Sequence, residues 1–184
     1  PSMLYHETVY KNEECRFFYD FDCKIKEKTE HVTKTVEKCL FYINEYICER
    51  LVTIHSSVKV EKTIFAISWD SSNDQKISKH VFFSNENDSF RFRNKKTVGI
   101  FLKTCLFEWL FTKCCTTFGD NIVKLVLNSF DIPLYERSGE FRIPFSTKLN
   151  VKRYLVPDYI FKFVKKNDTA LLDCKQMILL KYPK

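Results

Sequence analysis

The chain has 184 residues, 45% hydrophobic and 29% charged, which is enough to bury a core as a single domain. It contains only 3 glycines, where an average composition would give about 13. Gly99, Gly119 and Gly139 stand too far apart to form a GxGxxG loop or a P-loop, so phosphate binding by a glycine-rich loop is excluded. The net charge of +7 is uneven, with net −3 over residues 1–74 and net +10 over residues 75–184, and the basic part indicates an anionic partner such as nucleic acid.

Hydrophobic periodicity predicts alternating strands and helices along the chain. Strands are predicted over residues 16–25, 58–69, 78–83, 89–93 and 122–127, and helices over 29–51, starting from Thr29 as a cap, and 97–116. Residues 131–135 and 140–145 are typical of a hairpin with Gly139 in its loop. The segment 158–184 has no assigned role. This order predicts one α+β domain over residues 1–184 with a mixed or antiparallel sheet.

The cysteines and the chain start indicate the environment of the protein. Eight cysteines show no CxxC spacing, and Cys39 and Cys105 fall on apolar helical faces, so we expect mostly reduced thiols in an intracellular protein. No signal peptide and no run of 18 apolar residues is present, so we expect no membrane association. Residues 1–3, Pro-Ser-Met, are typical of a cloning remnant, which suggests that the chain is a piece of a longer protein.

Asp20-Phe21-Asp22 is the first candidate for chemistry. Side chains at i and i+2 of a strand emerge on the same face, so both carboxylates point one way. Two like charges side by side are unfavourable unless a cation neutralises them, and Mg²⁺ prefers oxygen ligands. The alternative is a surface strand face opposite solvated lysines.

Two further segments offer groups that can bind phosphate. Ser78 and His80 share a strand face, and a hydroxyl and an imidazole both reach phosphate oxygens. The alternative for His80 is a core or surface side chain bonded to backbone. In the predicted hairpin, Asp131 lies near Arg142, which offers a bidentate fork, and near Lys148, which offers a point charge.

The three motifs occur in the order hydrophobic-D-x-D, then S-x-H, then D followed by R and K. With this order of motifs the chain resembles the archaeo-eukaryotic primase superfamily. The third segment is similar to the third motif of primase-polymerases and of large-DNA-virus primases, and it carries most of the specificity of the match. That segment comprises residues 130–135 (FDIPLY) and 141–148 (FRIPFSTK). The three motifs cover residues 16–148.

The resemblance implies a fold, an activity and a set of site residues. The fold would be a primase catalytic core with an RRM-like, mostly antiparallel sheet flanked by helices. Asp20, Asp22 and Asp131 would be catalytic and hold two divalent ions, Mg²⁺ or Mn²⁺. The nucleotide-binding residues would be Ser78, His80, Arg142 and Lys148. The activity would be template-directed transfer of a nucleotide from NTP or dNTP to a 3′-hydroxyl on single-stranded DNA, with a helicase or accessory primase subunit as a further partner.

The chain departs from the family pattern in two ways. Some primase-polymerases have Glu where this chain has Asp22, and family members often carry an N-terminal module, whereas only 15 residues precede Arg16. Two alternative functions stay open. One is a non-enzymatic single-stranded nucleic-acid-binding subunit with exposed aromatic residues Phe90, Phe92 and Trp69 for base stacking. The other is a two-metal nuclease.

Overall fold

The structure, a computed structural model, describes only part of the chain. The described segments are residues 6–9, 12–25, 29–55, 63–85, 90–112, 118–136, 139–142, 147–148, 151–164 and 178–180. Several predictions lie outside them: the strand residues 58–62, the helix residues 113–116, the loop residues 137–138 and the motif residues 143–146. The side chains of residues 139–142 and 147–148 also lie outside the described part of the structure.

The described segments form an α+β fold. In chain order the strands are His6–Val9 (β1), Phe17–Lys24 (β2), Thr63–Asp70 (β3), Lys76–Asn85 (β4), Gly139–Arg142 (β5), Thr147–Lys148 (β6), Val151–Tyr154 (β7), Val156–Val164 (β8) and Ile178–Leu180 (β9). The helices are Glu30–His55 (α1), Lys95–Thr112 (α2) and Asp120–Leu127 (α3), followed by a 3₁₀ turn over Ile132–Tyr135.

The central sheet is antiparallel, with the strand order β2-β4-β3-β8-β9. Strand β2 is therefore at one edge of the sheet. Two smaller antiparallel pairs join β1 to β5 and β6 to β7. The prediction of an α+β class with an antiparallel sheet is confirmed.

The helices pack on one face of the central sheet. Phe41 of α1 lies against Phe161 of β8, with ring centroids 5.4 Å apart, and Phe101 of α2 lies against Phe17 of β2 at 5.3 Å. Side chains alternate along a strand, so the even-numbered residues of β2 are on the face away from the helices. That second face carries the predicted acidic residues of the first motif.

Helix α1 follows its sequence signals closely. The hydroxyl of Thr29 accepts the backbone N–H of Val32 at 3.2 Å, so the predicted N-cap is confirmed. One face of the helix is fully buried, with apolar residues spaced three or four apart. These are Val36, Cys39, Ile43, Ile47 and Leu51.

Residues 122–127, predicted as a strand, form the helix α3 instead. The β-branched residues favoured a strand, but Val123 and Val126 are both buried and stand three positions apart, which is a helical spacing. Gly119 is the N-cap and Asp120 lies in the first turn, where a negative charge is favourable. The tertiary contact with α1 outweighs the local strand preference.

The predicted hairpin of residues 131–135 and 140–145 is wrong. Residues 132–135 form a 3₁₀ turn, because Pro133 has no N–H for a sheet and its fixed φ suits the first turn of a helix. Strand β5 pairs with β1 instead, with Arg142 opposite His6 and Gly139 opposite Val9. Gly139 is thus the first residue of a strand.

The segment without an assigned role supplies a strand of the central sheet. Strand β8 pairs with β3 along its whole length, interrupted by one irregularity between Ser68 and Trp69. The described cysteines Cys15, Cys23, Cys39, Cys48 and Cys105 are free thiols. Among the helices of the described segments, none is long and apolar enough to cross a membrane.

Candidate functional site

Asp20 and Asp22 share one face of β2, as predicted, and that face is turned away from the helices. The residues between and before them, Phe21 and Tyr19, are fully buried on the helix side and fix the strand in the core. The carboxylate side chains of Asp20 and Asp22 are 22% and 38% exposed. The strand therefore presents two partly solvated acids side by side.

The first two motifs are neighbours in the sheet. Asp20 is directly opposite His80 in the β2–β4 pair, and Asp22 is directly opposite Ser78. Nε2 of His80 lies 3.5 Å from Oδ1 of Asp20. All four side chains thus share one face, although nearly 60 residues separate the two motifs in sequence.

The third acidic segment runs along the outer edge of β2. The N–H of Asp131 donates to the carbonyl of Asp20 at 3.0 Å, and the N–H of Asp22 donates to the carbonyl of Ser129 at 2.8 Å. This places Asp131 directly opposite Asp20, on the side away from His80. Asp131, Asp20 and His80 therefore form a row across three neighbouring backbone segments.

The hydrogen-bond pattern also determines how close these side chains come. Because the backbone groups of Asp20 and Asp22 point outward to residues 129–131, their pairs with His80 and Ser78 are the non-hydrogen-bonded kind. In such pairs the Cα atoms are about 4.5 Å apart and the side chains are closer than in the alternate pairs. The sheet thus favours contact within each pair.

Tyr135 fastens this edge to the rest of the fold. Its hydroxyl donates to the carbonyl of Phe18 at 2.7 Å, two residues before Asp20. Burial raises the pKa of the Tyr135 phenol well above its ordinary value, and the nearby charges of Asp20 and Asp131 raise it further. Tyr135 is therefore a neutral hydrogen-bond donor that holds the 3₁₀ turn against β2.

Gly99 of α2 allows Tyr135 to occupy this place. A Cβ at Gly99 would lie 2.7 Å from the Cβ of Tyr135 and 2.8 Å from its Cγ. Real Cβ atoms do not approach this closely, so the contact requires glycine. A glycine that the sequence left without a role thus positions the third motif.

Lys79, between Ser78 and His80, lies on the opposite face and is 4% exposed. Its ammonium is 2.8 Å from a carboxylate oxygen of Asp158 and 3.5 Å from one of Asp70. Burial alone would lower the pKa of Lys79, but the carboxylates of Asp158 and Asp70 outweigh that effect and raise it. Lys79, the middle residue of the S-x-H motif, thus holds β4 in place through ion pairs on the helix-covered face of the sheet.

Lys76 is a site residue that sequence reasoning missed. Its Nζ lies 2.5 Å from Oδ1 of Asp22 and neutralises that carboxylate. The signal was available, since Lys76 precedes Ser78 by two residues and so belongs to the same strand face. Trp69, which the sequence suggested only for base stacking, also lies beside the site, because it is directly opposite His80 in the β3–β4 pair.

Ser78 is in place but covered. It is 1% exposed, and its hydroxyl is 2.9 Å from the hydroxyl of Ser71. The N–H of Ser78 also donates to the hydroxyl of Ser72 at 2.9 Å. A contact between Ser78 and a triphosphate therefore requires residues 71–72 to move.

Arg142 and Lys148 are not brought to the site by the predicted hairpin. Arg142 ends β5 and lies opposite His6, and Lys148 is in β6 opposite Val151. Their side chains are outside the described part of the structure. Their role in anion binding stays a prediction.

The acids fit a divalent cation in donor type and in backbone placement. Asp20, Asp22 and Asp131 offer carboxylate oxygens, which hard cations such as Mg²⁺ prefer. Within the described residues, however, no group of three or more His, Cys, Asp or Glu side chains converges closely enough to hold a metal ion. Binding would require the carboxylates to turn toward each other and Lys76 to leave Asp22.

The aromatic residues proposed for base stacking are mostly not available. Phe90 is only 4% exposed, and Phe92 packs against Phe17 and Phe101 with ring centroids 5.6 Å and 5.3 Å apart. The predicted edge strand at 89–93 is reduced to one bridge between Phe92 and Cys15. Phe90 and Phe92 are two positions apart and so lie on the same side of the segment, the side that faces the core. Trp69 is partly exposed beside His80.

Neither a scan against protein-family models nor a search of curated proteins finds a match to this chain.

Proposed function

We propose that the chain is the catalytic domain of a template-directed primase or primase-polymerase. It would transfer a nucleotide from NTP or dNTP to a 3′-hydroxyl on single-stranded DNA. The observation that carries this proposal is the row of Asp131, Asp20 and His80 across neighbouring backbone segments. The row brings two acids and an imidazole from three motifs that are separated in sequence onto adjacent backbone positions.

In this proposal each residue type has a chemical task. Asp20, Asp22 and Asp131 hold Mg²⁺ or Mn²⁺, and two such ions would activate the 3′-hydroxyl and stabilise the leaving pyrophosphate. His80 lies against Asp20 but is only 4% exposed, so it would donate to an oxygen of the triphosphate after a local movement that uncovers it. Further donors to the triphosphate would be Ser78, Arg142 and Lys148.

The test is nucleotide incorporation by isosteric variants. Asp20→Asn and Asp131→Asn remove one negative charge each and should abolish Mg²⁺- or Mn²⁺-dependent extension of a primer on single-stranded DNA. Asp74→Asn, in the exposed turn before β4, is the matched control and should keep full activity. Unchanged extension by both site variants would contradict the proposal.

The ion pair between Lys76 and Asp22 favours a second candidate function. A lysine that neutralises a site acid is compatible with a non-enzymatic, single-stranded nucleic-acid-binding subunit, which needs no metal. Normal DNA binding without any metal-dependent product, even with added partner subunits, would favour this function. Labelled DNA incubated with metal but without nucleotides would separately reveal a two-metal nuclease.

A further inference from the structure

A groove of about 390 Å³ lies between the helix α2 and the 3₁₀ turn that follows Asp131. Its lining includes Lys96, Ile100, Lys103, Ile132, Tyr135 and Glu136. Because Ile132 directly follows Asp131, the groove begins at the third acidic segment. It is separate from the row of Asp131, Asp20 and His80 and adjoins one end of it.

The rim of the groove is cationic. Lys96 and Lys103 are both exposed and stand two helical turns apart, so they lie on the same side of α2, about 10 Å apart along its axis. Arg91 and Arg93, just before the helix, are exposed as well. The acid in the lining is Glu136, an exposed side chain 3.8 Å from the ammonium of Lys103.

Among the residues that the structure describes, the floor of the groove is apolar and includes no exposed aromatic ring. Ile100 is 55% exposed between the two lysines, whereas Tyr135 is only 2% exposed and its hydroxyl is already bonded to Phe18. The described lining therefore favours binding by charge over binding by base stacking. Charge on the rim and a short apolar floor suit a ligand that is anionic along its length.

We propose that this groove binds the phosphate backbone of a single-stranded nucleic acid, through Lys96 and Lys103. The inference rests on the proposed function for the choice of a nucleic acid over an acidic peptide and for naming the bound strand as the template. An acidic peptide would match the same charges, but the groove reaches Ile132, next to Asp131, where the proposed nucleotide transfer would require a polynucleotide. Binding should be insensitive to base sequence and strongly dependent on salt.

The experiment measures the anisotropy of fluorescein-labelled oligo-dT with no nucleotide and no divalent ion. Lys96→Glu/Lys103→Glu should weaken binding at least about tenfold at moderate salt. Lys96→Ala/Lys103→Ala should lower the slope of log affinity against log salt by about 1.4, since each single-strand phosphate contact contributes about 0.7. The matched control is Lys34→Glu/Lys38→Glu, which makes the same charge change on exposed positions of α1 and should bind within about threefold of the unchanged chain.

Three results would overturn the inference. These are an unchanged chain that does not bind oligo-dT at low salt, a groove variant that binds as well as the α1 control, and an unchanged chain that binds poly-glutamate more tightly than oligo-dT. Circular dichroism of each variant checks that the fold is retained. Because the assay contains neither nucleotide nor metal, failure of primer extension does not affect it. If primer extension persists while the groove variants bind oligo-dT normally, only the assignment of the groove is rejected, and the proposed function stands.

Discussion

Asp20 and His80 face each other across the β2–β4 pair, with Nε2 of the imidazole 3.5 Å from Oδ1 of the carboxylate. In the proposed function, this contact holds the imidazole where the triphosphate would lie. His80→Ala should then raise the apparent KM for nucleotide about tenfold or more, which is the loss of one charge-assisted hydrogen bond. Binding of the DNA template should change by less than about twofold.

The measurement is initial rate against nucleotide concentration, with template affinity measured separately. His31→Ala is the matched control, because His31 is exposed on α1, which packs on the opposite face of the sheet from His80. An unchanged KM in the His80 variant, or an equal loss of template affinity, would remove His80 from the nucleotide site.

Gly99→Ala should destabilise the fold through Tyr135. The added Cβ would meet the Tyr135 Cβ at 2.7 Å, and overpacking of this kind costs about 1–3 kcal/mol. Gly119→Ala is the control, since nothing lies within 4 Å of a Cβ built there. Urea unfolding should give a clear loss of free energy for the first variant and a change within about 0.5 kcal/mol for the second. Equal values for the two variants would mean that α2 simply shifts.

The first two motifs were predictable because each lies on a β-strand, where side chains alternate between the two faces of the sheet. The two-residue spacing alone predicted that Asp20 and Asp22 share a strand face, and that Ser78 and His80 do. The structure adds that the two pairs are opposite each other in the β2–β4 pairing. That register depends on the whole core of the sheet, including β8, which begins 71 residues after β4 ends at Asn85, so neither motif specifies it by itself.

The third motif shows where sequence reasoning fails. The family resemblance grouped Asp131 with the acids of the first motif, and the backbone of Asp131 does pair with that of Asp20, but the hairpin predicted to bring Arg142 and Lys148 near Asp131 does not exist. Pro133 shortens the segment to a 3₁₀ turn, and Asp131 reaches Asp20 through two edge hydrogen bonds of β2 instead. Neither those bonds nor the contact of Gly99 with Tyr135 has a periodic signature, because both depend on tertiary packing.

Alkaline pH should destabilise the fold through its buried thiols. Burial raises the pKa of Cys105 from 9.0 to about 12, so the folded chain keeps this proton when the unfolded chain loses it. The unfolded state then binds fewer protons, and the free energy of unfolding falls by up to about 1.4 kcal/mol per pH unit between about pH 9 and pH 12. Below pH 9 this contribution is fully present.

The test compares Cys105→Ala with the unchanged chain in urea at pH 8 and pH 10. Because the alanine cannot ionise, the stability difference between the two should shrink at the higher pH by up to about 1.4 kcal/mol. Val98→Ala, a truncation at another buried position of α2, should show a loss that does not depend on pH. A constant difference for Cys105→Ala would mean that the folded thiol ionises as readily as the unfolded one.

Lys76 offers the sharpest distinction between the two candidate functions. Its ammonium lies 2.5 Å from Asp22, and the two side chains are 14% and 38% exposed. Lys76→Met removes the charge but keeps most of the length, leaving the carboxylates of Asp20 and Asp22 on one face without this cation. A partly exposed ion pair of this kind contributes up to about 1 kcal/mol, so the melting temperature should fall by about 2–4 °C in the absence of divalent ions.

Added Mn²⁺ should reverse that loss if the acids bind metal. A cation that replaces the ammonium stabilises the folded state by mass action, so the Mn²⁺-induced rise in melting temperature should be larger in Lys76→Met than in the unchanged chain. Lys24→Met, at the exposed position opposite Lys76 in the β2–β4 pair, is the matched control and should respond like the unchanged chain. Adding Asp131→Asn to Lys76→Met should abolish the extra rise. If Mn²⁺ instead stabilises none of these proteins, the acids do not bind metal, and the non-enzymatic function is favoured.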